Sequence, residues 1–204
     1  MAQSGEPIVA WHFIFCTYGF WLPNDPRGSW SRFVRSAHIM AVGGLATGGG
    51  NIRRSVAGVP HDRARRNAAR EALHYPPVKF SGIQARAVAR GFARAVGENQ
   101  YHLYACSIMP DHVHILMAVQ PCGASRVVGH LRARATQQIN VEGINPMSVY
   151  STPTGKTPPI WAAGHWCVYI HPSEMDGVRR YIELNPVKAG LRRQSWSFVA
   201  PNPP

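Results

Sequence analysis

The run Met109-Pro110-Asp111-His112-Val113-His114-Ile115-Leu116-Met117 constrains this 204-residue chain more than any other. Pro110 presets the backbone for a tight turn over Met109, Pro110 and Asp111. From His112 to Val119 the pattern is that of a strand, whose side chains alternate between faces. His112 and His114 therefore project from one face. Val113, Ile115, Met117 and Val119 on the other are all apolar. Such a strand is anchored in a core on one side and carries two imidazoles on the other, close enough to converge on one metal ion.

The neighbouring patterns set the fold class. Ile8 to Thr17 is rich in aromatic and β-branched residues and reads as a first strand, with Trp11, Phe13 and Phe15 on one face and His12, Ile14 and Cys16 on the other. In that setting His12 reads as a sheet-end or core histidine rather than a ligand. Asp62 to Leu73 reads as a short helix ended by Pro76-Pro77. Ser81 to Glu98 is the clearest helix, with Ile83, Ala87, Val88, Phe92, Ala95 and Val96 at helical spacing. Gly91 lies within that stripe, where close packing against a sheet accounts for it. Tyr101 to Ile108 forms a strand leading into the turn. Ala124 to Asn140 is a helix with Val127, Val128, Leu131, Ala135 and Ile139 inward, and Trp166 to Ile170 is a fourth strand. A last helix opens at Ser173, with Ser173 and Asp176 as a capping-box variant. The order is βαββαβ, an α+β ferredoxin-like antiparallel sheet with an appended C-terminal helix. The length suits one domain, residues 1–204. It would carry a flexible or partly helical insertion at about 31–79, whose glycines at 43–44 and 48–50 suggest mobility, and a Pro-rich loop at about 143–159.

Charge narrows the partners. Lys and Arg number 22 against 10 Asp and Glu, a formal charge of +12, and only Lys79, Lys156 and Lys188 are lysines. Arginine's planar fork suits phosphate, so the excess points to a polyanion, nucleic acid above all; a generally basic proteome is the competing explanation. Arg86, Arg90 and Arg94 recur every four residues and stack along one helix face. A phosphate backbone opposite would relieve their repulsion, and so would solvent. Arg132 and Arg134 add charge to the next helix. The aromatic run from Tyr18 to Trp30 is either a packed surface loop or a platform for unpaired bases. The four cysteines are scattered without a C-x-x-C pair, which disfavours a zinc knuckle and suits free thiols in a reducing cytosol. No apolar span is long enough for a membrane, and the run Ile8 to Cys16 lacks a basic leader. A cytoplasmic, nucleoid-associated location follows as the expectation.

The histidine pair alone leaves the chemistry open. Histidine-triad nucleotide hydrolases need a third histidine two positions on, where Leu116 stands. The C-terminal helix narrows the choice: Met109-Pro110-Asp111-His112-Val113-His114 together with Tyr181-Ile182-Glu183-Leu184-Asn185-Pro186-Val187-Lys188-Ala189-Gly190-Leu191 resembles the single-tyrosine HUH transposases, in particular their REP-associated branch. The resemblance extends to Tyr18 through Trp30 and to Leu131 through Thr136. It implies a DNA strand transferase that cuts single-stranded DNA next to a hairpin through a 5′-phosphotyrosine intermediate. Tyr181 would be the nucleophile, His112 and His114 metal ligands, and Asn185 a third ligand.

A phenol ionises near pH ~10 and needs help at neutral pH. A divalent ion offsets charge developing on the phosphate, and open positions taken by phosphate and water suit Mg2+ or Mn2+; the choice of ion rests on the resemblance. On an unbroken helix Asn185 lies one turn from Tyr181. Pro186, however, disfavours helix at Asn185, so the helix could stop at Leu184 and Asn185 cap a new turn ended by Gly190. Ligand and cap stand equal. Arg179 and Lys188 are candidate phosphate contacts, Lys188 equally a plain surface residue. The expected partner is single-stranded or hairpin DNA, bound by a monomer or homodimer. The competing functions are a domesticated, non-cutting hairpin-DNA binder and an RNA-binding protein on the same sheet, the latter without the aromatic sheet motif such proteins use.

Overall fold

The computed structural model describes residues 5–22, 25, 37–43 and 62–200. The expected mobility of the glycine-rich stretch beyond residue 43, and most of the aromatic run up to Trp30, lie outside the described residues. Strands β1 (Ala10–Cys16), β2 (Leu103–Ile108), β3 (His112–Ala118) and β4 (Trp166–Ile170) form one antiparallel sheet in the order β2-β3-β1-β4. Helices α1 (Ala37–Gly43) and α2 (Arg63–Glu71) follow β1, α3 (Gly82–Asn99) and α4 (Ala124–Val141) provide the two crossovers, and α5 (Met175–Lys188) is appended. This is the ferredoxin-like βαββαβ arrangement with an inserted helical pair.

Strand alternation sets the layers. Trp11, Phe13 and Phe15 of β1 share a face with Val113, Ile115 and Met117 of β3, and this face packs on Ala87, Val88 and Phe92 of α3 and Val128, Leu131 and Ile139 of α4. Phe13, Phe15 and Phe92 are fully buried, and each such burial stabilises by on the order of 2–3 kcal/mol. Ile83 departs from its assigned stripe: it is 57% exposed, one turn ahead of Ala87, the first buried residue of α3. Ser81 caps α3, accepting from the Gln84 N–H while Gln84 Oε1 accepts from the Ser81 N–H at 2.9 Å. Asp62 caps α2 by accepting from the Arg65 N–H at 3.0 Å.

Gly91 packs on a helix rather than on the sheet. A Cβ there would lie 2.5 Å from the Ala135 Cα and 2.6 Å from the Arg134 carbonyl, so α3 and α4 meet backbone to backbone.

The β2–β3 turn is held from both sides. The Met109 N–H donates to the His112 carbonyl at 2.8 Å, the Thr17 N–H to that of Asp111 at 3.0 Å, and the Phe80 N–H to that of Pro110 at 2.8 Å. The chain after α5 covers the edge of β2, where an unpaired row of backbone groups would otherwise face solvent. Gln194 donates to the Ile108 carbonyl at 2.7 Å and accepts from its N–H at 2.8 Å, and the Ala200 N–H donates to the Leu103 carbonyl at 2.8 Å.

The other sheet face receives α5. Ile182 is buried with Ala10, Ala105, Leu116 and Ile170, and Met175 and Val178 pack beside it. The helix does not begin as its sequence suggests. Ser173 lies in a 3-10 turn, Pro172–Glu174, and its hydroxyl donates to Glu6 at 2.7 Å; Glu174 instead accepts from the His171 N–H at 3.0 Å. Nor does the helix stop at Leu184. It runs through the buried Pro186 to Lys188, so Asn185 is a helix-interior residue and caps nothing. Gly190, at φ 73°, does close it, with the Leu191 N–H donating to the Pro186 carbonyl at 2.9 Å and the Gly190 N–H to that of Val187 at 3.0 Å.

Replacing Gly91 by alanine should destabilise the protein by about 1–3 kcal/mol despite alanine's better helix propensity, because the methyl group meets backbone that cannot yield locally. Thermal unfolding monitored by circular dichroism should show the loss.

Candidate active site

The register of β1, β2 and β3 builds the site. In β1–β3 pairing Cys16 faces His112, Ile14 faces His114 and His12 faces Leu116; in β2–β3 pairing Ser107 faces His114. His12, Ser107, His112 and His114 thus share the sheet face that carries α5. The His112 and His114 rings are 4.9 Å apart between centroids, and His12 stacks on His114 at 5.2 Å. His112 Nδ1 lies 2.6 Å from Asp111 Oδ1. His114 Nδ1 lies 2.9 Å from His12 Nε2.

α5 brings Tyr181 to this cluster. Its ring is edge-on to His114 at 5.5 Å and to His12 at 6.3 Å, and the residue remains 45% exposed. Tyr181, Asn185 and Lys188 follow the helical repeat and share one face. Lys188 Nζ stands 5.8 Å from the Tyr181 ring centre. Asn185 Nδ2 and Ser107 Oγ are buried with no hydrogen-bond partner among the described residues. A buried polar atom so placed is unusual and marks a position where a ligand atom would be welcome. Burial pushes the His12 pKa down to about 4. His114 is held well below its ordinary value by burial first and then by His112 and His12. Both imidazoles are neutral at neutral pH, as metal ligation and hydrogen-bond acceptance require.

The family profile described as Transposase IS200-like matches residues 80–185, just over half of the chain. The chain belongs to that family. It is therefore a member of a family of DNA-processing transposases. No curated protein sequence matches it. Among solved structures it is similar to a REP-associated tyrosine transposase bound to a REP hairpin, at 11% identity over 94% of this chain and 75% of that one, TM-score 0.46. It is also similar to a protein described as a transposase from Deinococcus radiodurans R1, at 11% identity over 90% of this chain and 95% of that one, TM-score 0.36.

The structure thus brings together three of the residues singled out by sequence, His112, His114 and Tyr181, with Lys188 beside the Tyr181 ring and Asn185 one helical turn on from Tyr181. It does not bring the arginines of α3 and α4 to the transposase's histidine face, because those helices cover the opposite one. Arg90 forms a two-pronged pair with Glu142, and Arg94 and Arg134 share Glu98 at 2.8 and 2.6 Å. Arg86 is exposed on the same helix. Arg132 lies largely buried over the Phe15 ring, 4.9 Å from its centre, and donates to the Gly164 carbonyl. Burial pulls its pKa down to about 10, and the guanidinium packs on the core at Phe15. Arg179, on α5, pairs with Asp176 at 3.4 Å and lines an open groove of about 420 Å³ with Arg180, Glu183 and Arg193.

Three site residues escaped sequence reasoning as members of the site. Asp111 was legible only as a turn residue, His12 as a core histidine and Ser107 as one more strand position. The face shared by His12 and Cys16 was a usable signal for β1, but only the register against β3 shows that His12 reaches His114.

The residues present suit a divalent ion. An Nδ1–H directed at Asp111 leaves His112 Nε2 with a free lone pair, the arrangement in which metal-bound histidines are held. The Asn185 amide can offer its oxygen. Among the described residues no group of three or more His, Cys, Asp or Glu side chains is placed to hold a metal ion. No helix among the described residues is long and apolar enough to cross a membrane.

Because the folded protein resists protonating His12 and His114, the unfolded chain binds more protons below about pH 6.5. The melting temperature of the metal-free protein should therefore fall as pH drops from about 6.5 towards 4, and His12→Gln should flatten that slope. Melting curves in chelator across this range provide the check.

Proposed function

We propose that this protein is a metal-dependent, single-tyrosine transposase of the REP-associated branch, which cuts and rejoins single-stranded DNA at hairpin-flanked sites. The observation that carries the reading is the approach of Tyr181 on α5 to its own chain's His112–His114 pair. Family membership supports it. Tyr181 Oη attacks the scissile phosphorus. The Oη–P bond forms, the bond from phosphorus to the 3′ oxygen breaks, the phenolic proton is lost, and the departing 3′ oxygen takes up a proton. The product is a 5′-phosphotyrosine link and a free 3′-OH. Reversal with another 3′-OH rejoins the DNA without an external energy source. Lys188, next to the Tyr181 ring, can contact the phosphate. His112, His114 and Asn185 would hold Mg2+ or Mn2+, which supplies charge stabilisation on the phosphate oxygens when bound.

The DNA path runs along α5 rather than along α3. Lys188 stands beside the Tyr181 ring and Arg179 lies on the same helix in a longer pair with the exposed Asp176 at 3.4 Å, whereas Arg90 and Arg94 are held by carboxylates at 2.8 Å. Arg86, Arg132 and Arg134 are correspondingly left out of the proposed path.

Incubation with hairpin single-stranded DNA from the flanks of its own gene, with Mg2+ or Mn2+, should give a protein–DNA adduct on a denaturing gel. Tyr181→Phe and His112→Ala should each abolish the adduct while leaving binding within a few-fold. Tight binding without an adduct in the wild type would instead favour a non-cutting hairpin binder. Binding should also weaken steeply with salt. Removing Arg179 and Lys188 together should lower the log–log slope by about 0.7–0.9 per lost phosphate contact, whereas removing Arg90 and Arg94 should leave it unchanged. Fluorescence anisotropy at several salt concentrations measures both.

A further inference from the structure

The metal-ligand role proposed for His114, on which this inference rests, leaves one question about that residue open. A neutral imidazole carries a single N–H, so it can coordinate through Nε2 only when its proton sits on Nδ1. For His112 the Asp111 carboxylate settles this, since an ionised carboxylate only accepts. His114 has no carboxylate there. Its Nδ1 instead meets His12 Nε2 at 2.9 Å, within a stacked ring pair. Two neutral imidazoles at this distance share one proton in one of two ways. If His12 Nε2–H donates, His114 carries its own proton on Nε2 and is closed to a cation. If His114 Nδ1–H donates, His114 Nε2 presents a lone pair to the side of the sheet where Tyr181 lies.

We infer that His12 is a positioning residue of the site: it accepts a hydrogen bond from His114 Nδ1–H through Nε2 and so fixes His114 in the tautomer and ring orientation that present Nε2 as a ligand. The contact is non-local, since 102 positions separate the two residues, and both side chains are buried. The β1–β3 register sets it, with His12 opposite Leu116 and therefore diagonal to His114 on the same face. His12 Nε2 is committed to this bond and is not itself offered to an ion. His12 thus does for His114, through a neutral ring, what Asp111 does for His112 through a charged carboxylate. The pair of ligands is held by one partner from its own turn and one from the neighbouring central strand.

The test reads proton position and metal affinity separately. Long-range 1H–15N correlation spectra of the metal-free protein, with His114 assigned by its substitution, should show His114 protonated on Nδ1 and bare at Nε2. His12→Phe keeps the ring but removes the acceptor. It should shift His114 towards the Nε2–H form and weaken Mn2+ binding, followed by electron paramagnetic resonance, by about 10- to 100-fold. His12→Gln places an amide oxygen near the former Nε2 and should restore both the Nδ1–H form and most of the affinity. A purely structural role would not be rescued in this pattern.

Finding His114 protonated on Nε2 in the folded wild type overturns the inference without any variant, so poor folding of His12→Phe would not shelter it. Mn2+ binding that His12→Phe leaves unchanged overturns the role of His12 alone. A wild type that shows the Nδ1–H form but binds no Mn2+ overturns the metal reading of the site, and the ligand-presenting role of His12 with it.

Discussion

The antiparallel pairing of β1 with β3 at the centre of the sheet is the interaction on which the rest depends. Side chains alternate with a period of two, so a one-residue slip would exchange the faces of an entire strand. The observed register puts Phe13 and Phe15 of β1 with Val113 and Ile115 of β3 on the face covered by α3 and α4. The same register puts His12 on the face of His112 and His114. Moving it would bury histidines among leucine and phenylalanine and strand aromatic rings in solvent. The apolar packing on one face therefore brings the imidazoles together on the other, where His112 meets Asp111 and His114 meets His12.

The two faces divide the work. One is closed by two helices that meet through Gly91, and its arginines answer to Glu98 and Glu142. Among the described residues the other is covered by α5, which leaves room for chemistry at its margin. α5 serves two ends with different parts of its surface. Met175, Val178 and Ile182 follow an i, i+3, i+7 repeat that docks onto the sheet, and this docking fixes the rotation of the helix. Tyr181, next in sequence to Ile182, is then turned towards His114 while remaining half exposed. Asn185 and Lys188 follow it because helical spacing leaves them no choice. The Asn185 amide nitrogen and the Ser107 hydroxyl are buried without a hydrogen-bond partner among the described residues.

Much of this was legible in advance. The His-Val-His alternation, the stripes of α3 and α4 and the order of elements depend on neighbouring residues with fixed periods, and they were placed correctly to within a residue or two. The errors have identifiable causes. Local capping rules favoured Ser173 and a stop at Leu184, but Glu6 engages the Ser173 hydroxyl and Pro186, buried against the fold, is accommodated inside the helix. Periodicity counted Ile83 with the stripe although its side chain lies exposed a turn before the first buried residue of α3. The arginine stripe was correctly spaced, yet spacing could not say that Glu142, fifty-two positions away, would occupy Arg90.

By itself, then, the sequence determined which residues share a strand face or a helix face, because those relations follow from local backbone geometry. It determined His112 beside His114, and Tyr181 in line with Asn185 and Lys188. Only the tertiary structure decided which faces meet. That His12 reaches His114, that Asp111 meets His112 while Arg132 stacks on Phe15, and that Tyr181 comes to its own chain's histidines all require the pairing of strands and the docking of α5. These contacts join residues distant in sequence, and their geometry is set by burial of apolar surface rather than by any pattern along the chain.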